Sequence, residues 1–438
     1  MTATEPQKVR LIPLMRRLLL EASISLLVLV LLQLSITVCE AAAGSPDVQN
    51  DSARELIRRG EYYKALEQLK EAFSLFPYNE TVRKNLIAGY AAVGKKEMER
   101  KEFDAAAENF DNARKLSPDT QEYGMLRGIA LFLGKNYDAA AIELEQSRQN
   151  GGDNVPLLYY LGRVYYDSGD LEKALAAWDG ALEIEPGNKP IRDMVEKARR
   201  ELAVESRMEK GYSSMFVISY DEGTRPDLAD AVLDALESAY NRVGYDLSYY
   251  PTAHVPVILY NKKDYRSVTA GPEWSGGLYD GKVRLPIGGA KEITPVLRGV
   301  LSHEYTHVVV GELTKGNCPT WLNEGLAEVE GRKEFDPGIP ELARAAKTGA
   351  FFSFTVMEKS LSSLDTKSAL LAYQQSYSIV SFMISAYGWD KVRGTLVNLG
   401  TGMRFDNAIA GAFADYGLDL AAIIKEWREH MRKEYGGE

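Results

Sequence analysis

Four alanines, Ala65, Ala106, Ala140 and Ala174, follow one another at intervals of 41, 34 and 34 residues, each at the same place in a longer pattern. A period near 34 constrains a chain more tightly than composition does, because every copy must form the same unit and bury its face on the next. The fullest copy runs Leu158, Leu161, Gly162, Tyr165, Gly169, Leu171, Ala174, Trp178, Ala181, Pro186 and reads as a pair of helices. Four such pairs are predicted. Pro77, Pro118 and Pro186 close three of them, since proline cannot continue a helix. The longer first interval places a seven-residue insertion near residues 95–101, and a polar helix over about 191–205 ends the array.

This pattern resembles the tetratricopeptide repeat. The resemblance implies an all-α solenoid of four repeats over residues 48–189, then a capping helix and linker over 190–210. Alanines at these spacings let helices approach and are packing residues, not a site. The concave face of such an array binds peptides or proteins, so a protein partner is expected there; a mere spacer or dimerisation arm is the other reading.

The second constraint is Leu301-Ser302-His303-Glu304-Tyr305-Thr306-His307, after a helix start at Thr294-Pro295. Residues four apart stand on one helix face, so His303 and His307 can aim at a single ion. Val296, Val300 and Val310 extend their stripe, and two imidazoles and a carboxylate are costly to bury on it without a partner. Zinc is the partner that such ligands suit. Glu304 points about 100° away around the helix, placed to take a proton from an attacking water.

A catalytic zinc needs a third protein ligand. Leu313 and Val310 stand where the extended metzincin motif needs histidine and glycine, so that motif is absent. Sixteen residues separate His307 from Glu324, enough for a turn at Lys315-Gly316-Asn317 and a returning helix capped by Thr320. Glu324 then supplies the third ligand, and Glu328, one turn on, accepts the other ring N–H of a zinc histidine. Cys318, before Pro319, reads as structural.

His303-Glu304-x-x-His307 followed by Trp321-Leu322-Asn323-Glu324-Gly325-Leu326-Ala327 resembles the gluzincin clan, especially bacterial peptidase MA-like domains. The resemblance covers residues 211–438 and implies an α+β, thermolysin-like catalytic domain with a sheet over the motif helix and helices below. It implies His303, His307 and Glu324 as zinc ligands and Glu304 as general base. The aminopeptidase signature Gly-x-Met-Glu-Asn is missing, which favours an endopeptidase. Residues 371–380 resemble the stretch whose tyrosine faces the zinc; Tyr373 is the candidate oxyanion donor, with Tyr377 as competitor.

Within the same region, strands are predicted over about 214–220 and 255–260, a helix over 226–243, and a hairpin at Asp280-Gly281 between Gly276–Tyr279 and Lys282–Leu285. That hairpin is either the lip of the cleft, with an edge for an extended substrate, or an ordinary one. Helices follow over about 342–348, 367–387, 390–399, 405–414 and 420–435. The change of periodicity near residues 206–211 predicts separable halves. His254 and His430 read as surface or satisfied histidines, not ligands.

At the start, Lys8, Arg10, Arg16 and Arg17 precede an uncharged stretch over residues 22–39 and the small residues Ala41-Ala42-Ala43-Gly44. Residues 1–43 therefore read as an export signal or an uncleaved membrane anchor, placing the protein in the periplasm or cell envelope. With Cys39 in that segment, Cys318 is the remaining cysteine of the mature part, so no internal disulfide is expected. A net charge of −10 without a basic stripe argues against nucleic acid. The expected function is an exported zinc peptidase whose array positions a protein substrate. A binding scaffold carrying an inactive or structural zinc domain is the alternative.

Overall fold

The computed structural model describes residues 46–221, 223–269, 277–287, 290–358 and 364–436. The export or anchor segment, with Cys39, and Gly276 of the hairpin lie outside them. Two compact units emerge, one from the residues up to 96 with 108–123, the other from 97–107 with 124 onward.

Four antiparallel helix pairs form as the period requires: α1 (Pro46–Arg58) and α2 (Tyr62–Leu75), α3 (Glu80–Glu99) and α4 (Phe103–Leu116), α5 (Gln121–Leu133) and α6 (Tyr137–Gly151), α7 (Val155–Asp167) and α8 (Leu171–Ile184). α9 (Lys189–Glu205) follows. Ala65, Ala106, Ala140 and Ala174 are all 0% exposed, as helix-crossing residues must be. The insertion is absorbed in α3, which has 20 residues where α5 and α7 have 13 each, about two extra turns. The smaller unit closes around Ala53, Leu66, Leu69, Leu86 and Val93. In the larger unit the Trp178 ring lies against Gly162, where a Cβ would come within 2.2 Å of Nε1, and that nitrogen donates to the Tyr159 carbonyl at 3.1 Å.

The rest of the larger unit is helix-rich around a small sheet. The chain runs through β1 (Glu209–Tyr212), β2 (Phe216–Tyr220), α10 (Pro226–Leu247), β3 (Val255–Leu259), α11 (Lys262–Thr269), β4 (Leu278–Tyr279) and β5 (Val283–Leu285). Strand order is β1-β2-β3-β5-β4. β2, β3 and β5 are parallel, with Ile218 opposite Val257 and Val257 opposite Val283; β1 and β4 are antiparallel edges. Sequence reasoning missed β1, and α9 stops at Glu205 because residues 209–212 pair with β2. It also missed α11, whose eight residues carry too few apolar positions to show a period.

The two faces of the sheet differ. Inner side chains Phe216, Ile218, Val257, Leu259, Val283 and Leu285 join the main core with α10 and the helices below. On the outer face Ile258 and Tyr260 pack with Val204 and Met208, at and just beyond the end of α9, and with Tyr265 and Val268 of α11. The helix expected as a polar cap packs on the last repeat through Ile191, Val195 and Ala198, and its far end also covers the outer face of the sheet. Far along the chain, Lys101 and Lys315 each donate to the other's backbone carbonyl, Lys315 at 2.6 Å.

Helices α12 (Pro295–Leu313), α13 (Thr320–Arg332), α14 (Pro340–Thr348), α15 (Phe354–Met357), α16 (Thr366–Tyr387), α17 (Trp389–Gly400), α18 (Phe405–Ala412) and α19 (Leu420–Tyr435) complete the chain. Thr294 caps α12, its side chain accepting from Leu297 N at 3.2 Å. Thr320 does not cap α13: Pro319 holds that position, and the threonine hydroxyl donates to the Glu358 carbonyl. Among the described residues no helix is long and apolar enough to cross a membrane.

Candidate metal centre

α12 and α13 run antiparallel, and three rungs join them. Gly299 meets Gly331: a Cβ on either would fall within 3.0 Å of the other's carbonyl oxygen, so these two helix-interior glycines let the backbones touch. One turn along, His303 Nδ1 stands 3.5 Å from Glu328 Oε1. One turn further, His307 Nε2 stands 3.5 Å from Glu324 Oε2. Glycine inside a helix costs about 1 kcal/mol against alanine, which is the signal that could have found this crossing from sequence. A third close approach, Gly325 to the Ser376 carbonyl at 2.6 Å from its Cβ position, brings α16 against the other side of α13.

The consequence is a convergence of donors. His303 Nε2 lies 3.2 Å from His307 Nε2 and 3.5 Å from Glu324 Oε2. Glu324 Oε2 and His307 Nδ1 are buried without a hydrogen-bond partner. Four tetrahedral ligands at zinc bond lengths of 2.0–2.1 Å are spaced by about 3.3 Å, so these three atoms fit such an ion. The expected apolar stripe is interrupted at its start, because Val296 is 50% exposed; the core face of α12 is Leu301, Tyr305, Val308 and Val309.

Electrostatics point the same way. Burial alone would lower the His303 imidazole, but Glu324, Glu328 and Glu304 outweigh it and hold the ring well above its ordinary pKa. Three carboxylates packed around two imidazoles make the site rich in negative charge. Burial raises Glu324, yet His307 and His303 bring it below the usual carboxylate range. Glu328 is likewise pushed up by burial and pulled down by His303 and Arg332, to about 2. Glu304 is raised, chiefly by burial, against the pull of the two imidazoles.

Glu304 faces the sheet edge. Its carboxylate lies so near Gly277, at the start of β4, that a Cβ there would sit 2.5 Å from Oε1. A larger residue there would have to displace the Glu304 carboxylate. Tyr373, in the second turn of α16, brings its ring centroid to 6.3 Å from that of His303, and burial with Glu324, Glu304 and Glu328 raises its phenol. Tyr377 has another task, lying 4.2 Å under the Arg332 guanidinium. Arg332, unforeseen from sequence although four residues after Glu328, donates to Glu328 Oε2 at 2.8 Å and to Asp336 at 2.7 Å. Cys318 packs at the edge of the main core, where burial pushes its thiol up. His254 and His430 are exposed and outside the cluster.

Comparison with family models matches residues 241–433 to the Peptidase MA superfamily. Tetratricopeptide repeats precede it, matched over residues 94–155 and 155–188. Among solved structures, MamA from Desulfovibrio magneticus is 21% identical, covering 36% of this chain and 85% of that one, with a TM-score of 0.30. A thermophilic tetratricopeptide protein of Thermus thermophilus is 23% identical over 35% of this chain and 81% of that one, with a TM-score of 0.25. The first repeat domain of Spaghetti, bound to an HSP90 peptide, is 19% identical over 27% and 93%, with a TM-score of 0.26. No curated protein matches the chain.

Proposed function

We propose that this chain is an exported, zinc-dependent endopeptidase whose repeat array recruits or positions a protein substrate. One observation carries the reading: His303 Nε2, His307 Nε2 and Glu324 Oε2, from two helices, converge within 4.8 Å of one another in the geometry of a metal's donor set. The Peptidase MA superfamily match over the same residues supports it. Export rests on the sequence of residues 1–43, cleaved or kept as an anchor.

Zinc in this site would supply Lewis acidity, polarising a carbonyl and lowering the pKa of water toward about 7. The chain's own groups divide the remaining work. His303, His307 and Glu324 hold the ion, while Glu328, itself held by Arg332, orients the His303 ring. Glu304 takes a proton from the attacking water and returns it to the leaving amine. Tyr373 donates its hydroxyl to the oxygen that gains charge as the carbonyl becomes tetrahedral.

Elemental analysis of the purified mature protein is expected to find stoichiometric zinc that is lost in a His303→Ala, His307→Ala variant. Wild type is expected to hydrolyse an unstructured protein such as casein, and Glu304→Gln to keep zinc without hydrolysis. Bound zinc with an inert wild type would replace this reading with the scaffold one.

A further inference from the structure

A second group of buried charges lies on the outer face of the sheet, away from the metal centre. Arg284 of β5 is 0% exposed and Lys282 1%. The Arg284 guanidinium is surrounded: Nε bonds Asp280 at 3.0 Å, Nη1 bonds Glu205 at 3.1 Å and the Tyr260 hydroxyl at 2.6 Å. Its Nη2 meets Glu201 at 2.9 Å and the Tyr166 hydroxyl at 3.2 Å. Lys282 reaches Glu201 at 3.5 Å, and Lys197 holds Asp280 at 2.7 Å. One side chain thus joins the last repeat through Tyr166, helix α9 through Glu201 and Glu205, and the β4–β5 turn through Asp280.

The same hairpin borders the metal centre. Arg284 pairs with Leu278 in the β4–β5 ladder, and Gly277, next to Leu278, is the residue whose Cβ would meet the Glu304 carboxylate. β4 has two residues and, among the described residues, no neighbour on its far side in the sheet, so its ladder alone holds it weakly. We propose that Arg284 is a positioning residue: by tying the β4–β5 hairpin to the last repeat and α9, it fixes the strand edge beside Glu304. The array then sets the geometry at the carboxylate. The kinetic arm of this inference rests on the peptidase reading; the structural arm does not.

The test uses the full mature chain. Arg284→Lys keeps the charge and loses the planar fork, and Tyr166→Phe removes one hydroxyl on the repeat side. A double variant, Arg284→Met with Glu201→Gln, removes charge from both partners should the single lysine variant fail to fold. In a folded variant with wild-type zinc content, amide hydrogen exchange at Leu278 and Asp280, whose N–H groups face β5, is expected to speed up about tenfold or more. On a small peptide kcat should fall about 10- to 100-fold, with KM changing little. Wild-type exchange at both amides in folded variants would overturn the proposal. Faster exchange with an inert wild type would keep it and remove the peptidase reading.

Discussion

Two of the buried ionisable clusters in the larger unit, those around Arg284 and His303, differ in what completes them. Around Arg284, no buried side-chain polar atom lacks a hydrogen-bond partner among the described residues, and each cation has carboxylates or hydroxyls within reach. Around His303, three carboxylates face two imidazoles, and Glu324 Oε2 and His307 Nδ1 have no hydrogen-bond partner. Burying ions is costly in both places, and the first group finds its hydrogen-bond partners within the protein. The first cluster joins segments; the second has a donor set open to a cation. Burial alone would not have told them apart.

The sharpest way to break this contrast is to neutralise Glu304, which is in the second cluster but ligates nothing. Glu304→Gln should cut hydrolysis by about 100- to 10,000-fold at unchanged zinc content, measured on casein. Loss of zinc in this variant would mean that Glu304 belongs to the donor set. Next in size is the removal of partners from the complete cluster. A fragment starting at Gly211 lacks Tyr166, Glu201 and Glu205, the partners of Arg284 and Lys282, and exposes the outer face of the sheet that Val204 and Met208 cover. It should be far less stable to urea than a fragment starting at Asn154. Equal midpoints would show that the array and sheet are separable after all, as the change of periodicity near residue 206 suggests.

Tyr373→Phe should lower kcat about 100- to 1,000-fold with zinc content and KM little changed. A larger loss from Tyr377→Phe would reassign the donor. Arg332→Ala should weaken zinc binding about 10- to 100-fold in a chelator competition, because Glu328 loses the group that holds it. The smallest effect concerns acid. Burial raises Asp280, but Arg284 and Lys197 outweigh it and leave its carboxyl below the ordinary value. A depressed carboxyl stabilises the fold above its unfolded pKa and loses that contribution as pH falls through the native one. Asp280→Asn should therefore shallow the decline of Tm below about pH 5 relative to wild type.

The convergence of His303, His307 and Glu324 was legible in the sequence because its geometry is local. His303 and His307 are one turn apart, and Glu324 and Glu328 are another such pair, so two short periods and one turn suffice. The repeats were legible for the same reason. The Arg284 cluster was not: Tyr166 and Arg284 are 118 residues apart, and α9, with acidic residues on one side, has the pattern of a solvated end helix. Periodicity identifies a polar face without saying whether water or a buried guanidinium covers it. Val283-Arg284-Leu285 likewise alternates as a half-exposed strand, yet all three residues are buried. Thr320 was read as a cap from its residue type, whereas the preceding proline takes the position with its own fixed backbone.

The glycine crossing of α12 and α13 has a consequence for which changes this chain can survive over time. From Gly299 to His307 is eight positions, and from Glu324 to Gly331 seven, so the two helices act as a pair of rulers zeroed at their contact. An inserted or deleted residue within either ruler would rotate everything beyond it by about 100° and carry one donor out of reach. The same change in the turn between them, residues 314–319, leaves both scales intact. What lineages of this chain must preserve is therefore a pair of lengths as much as a set of residues.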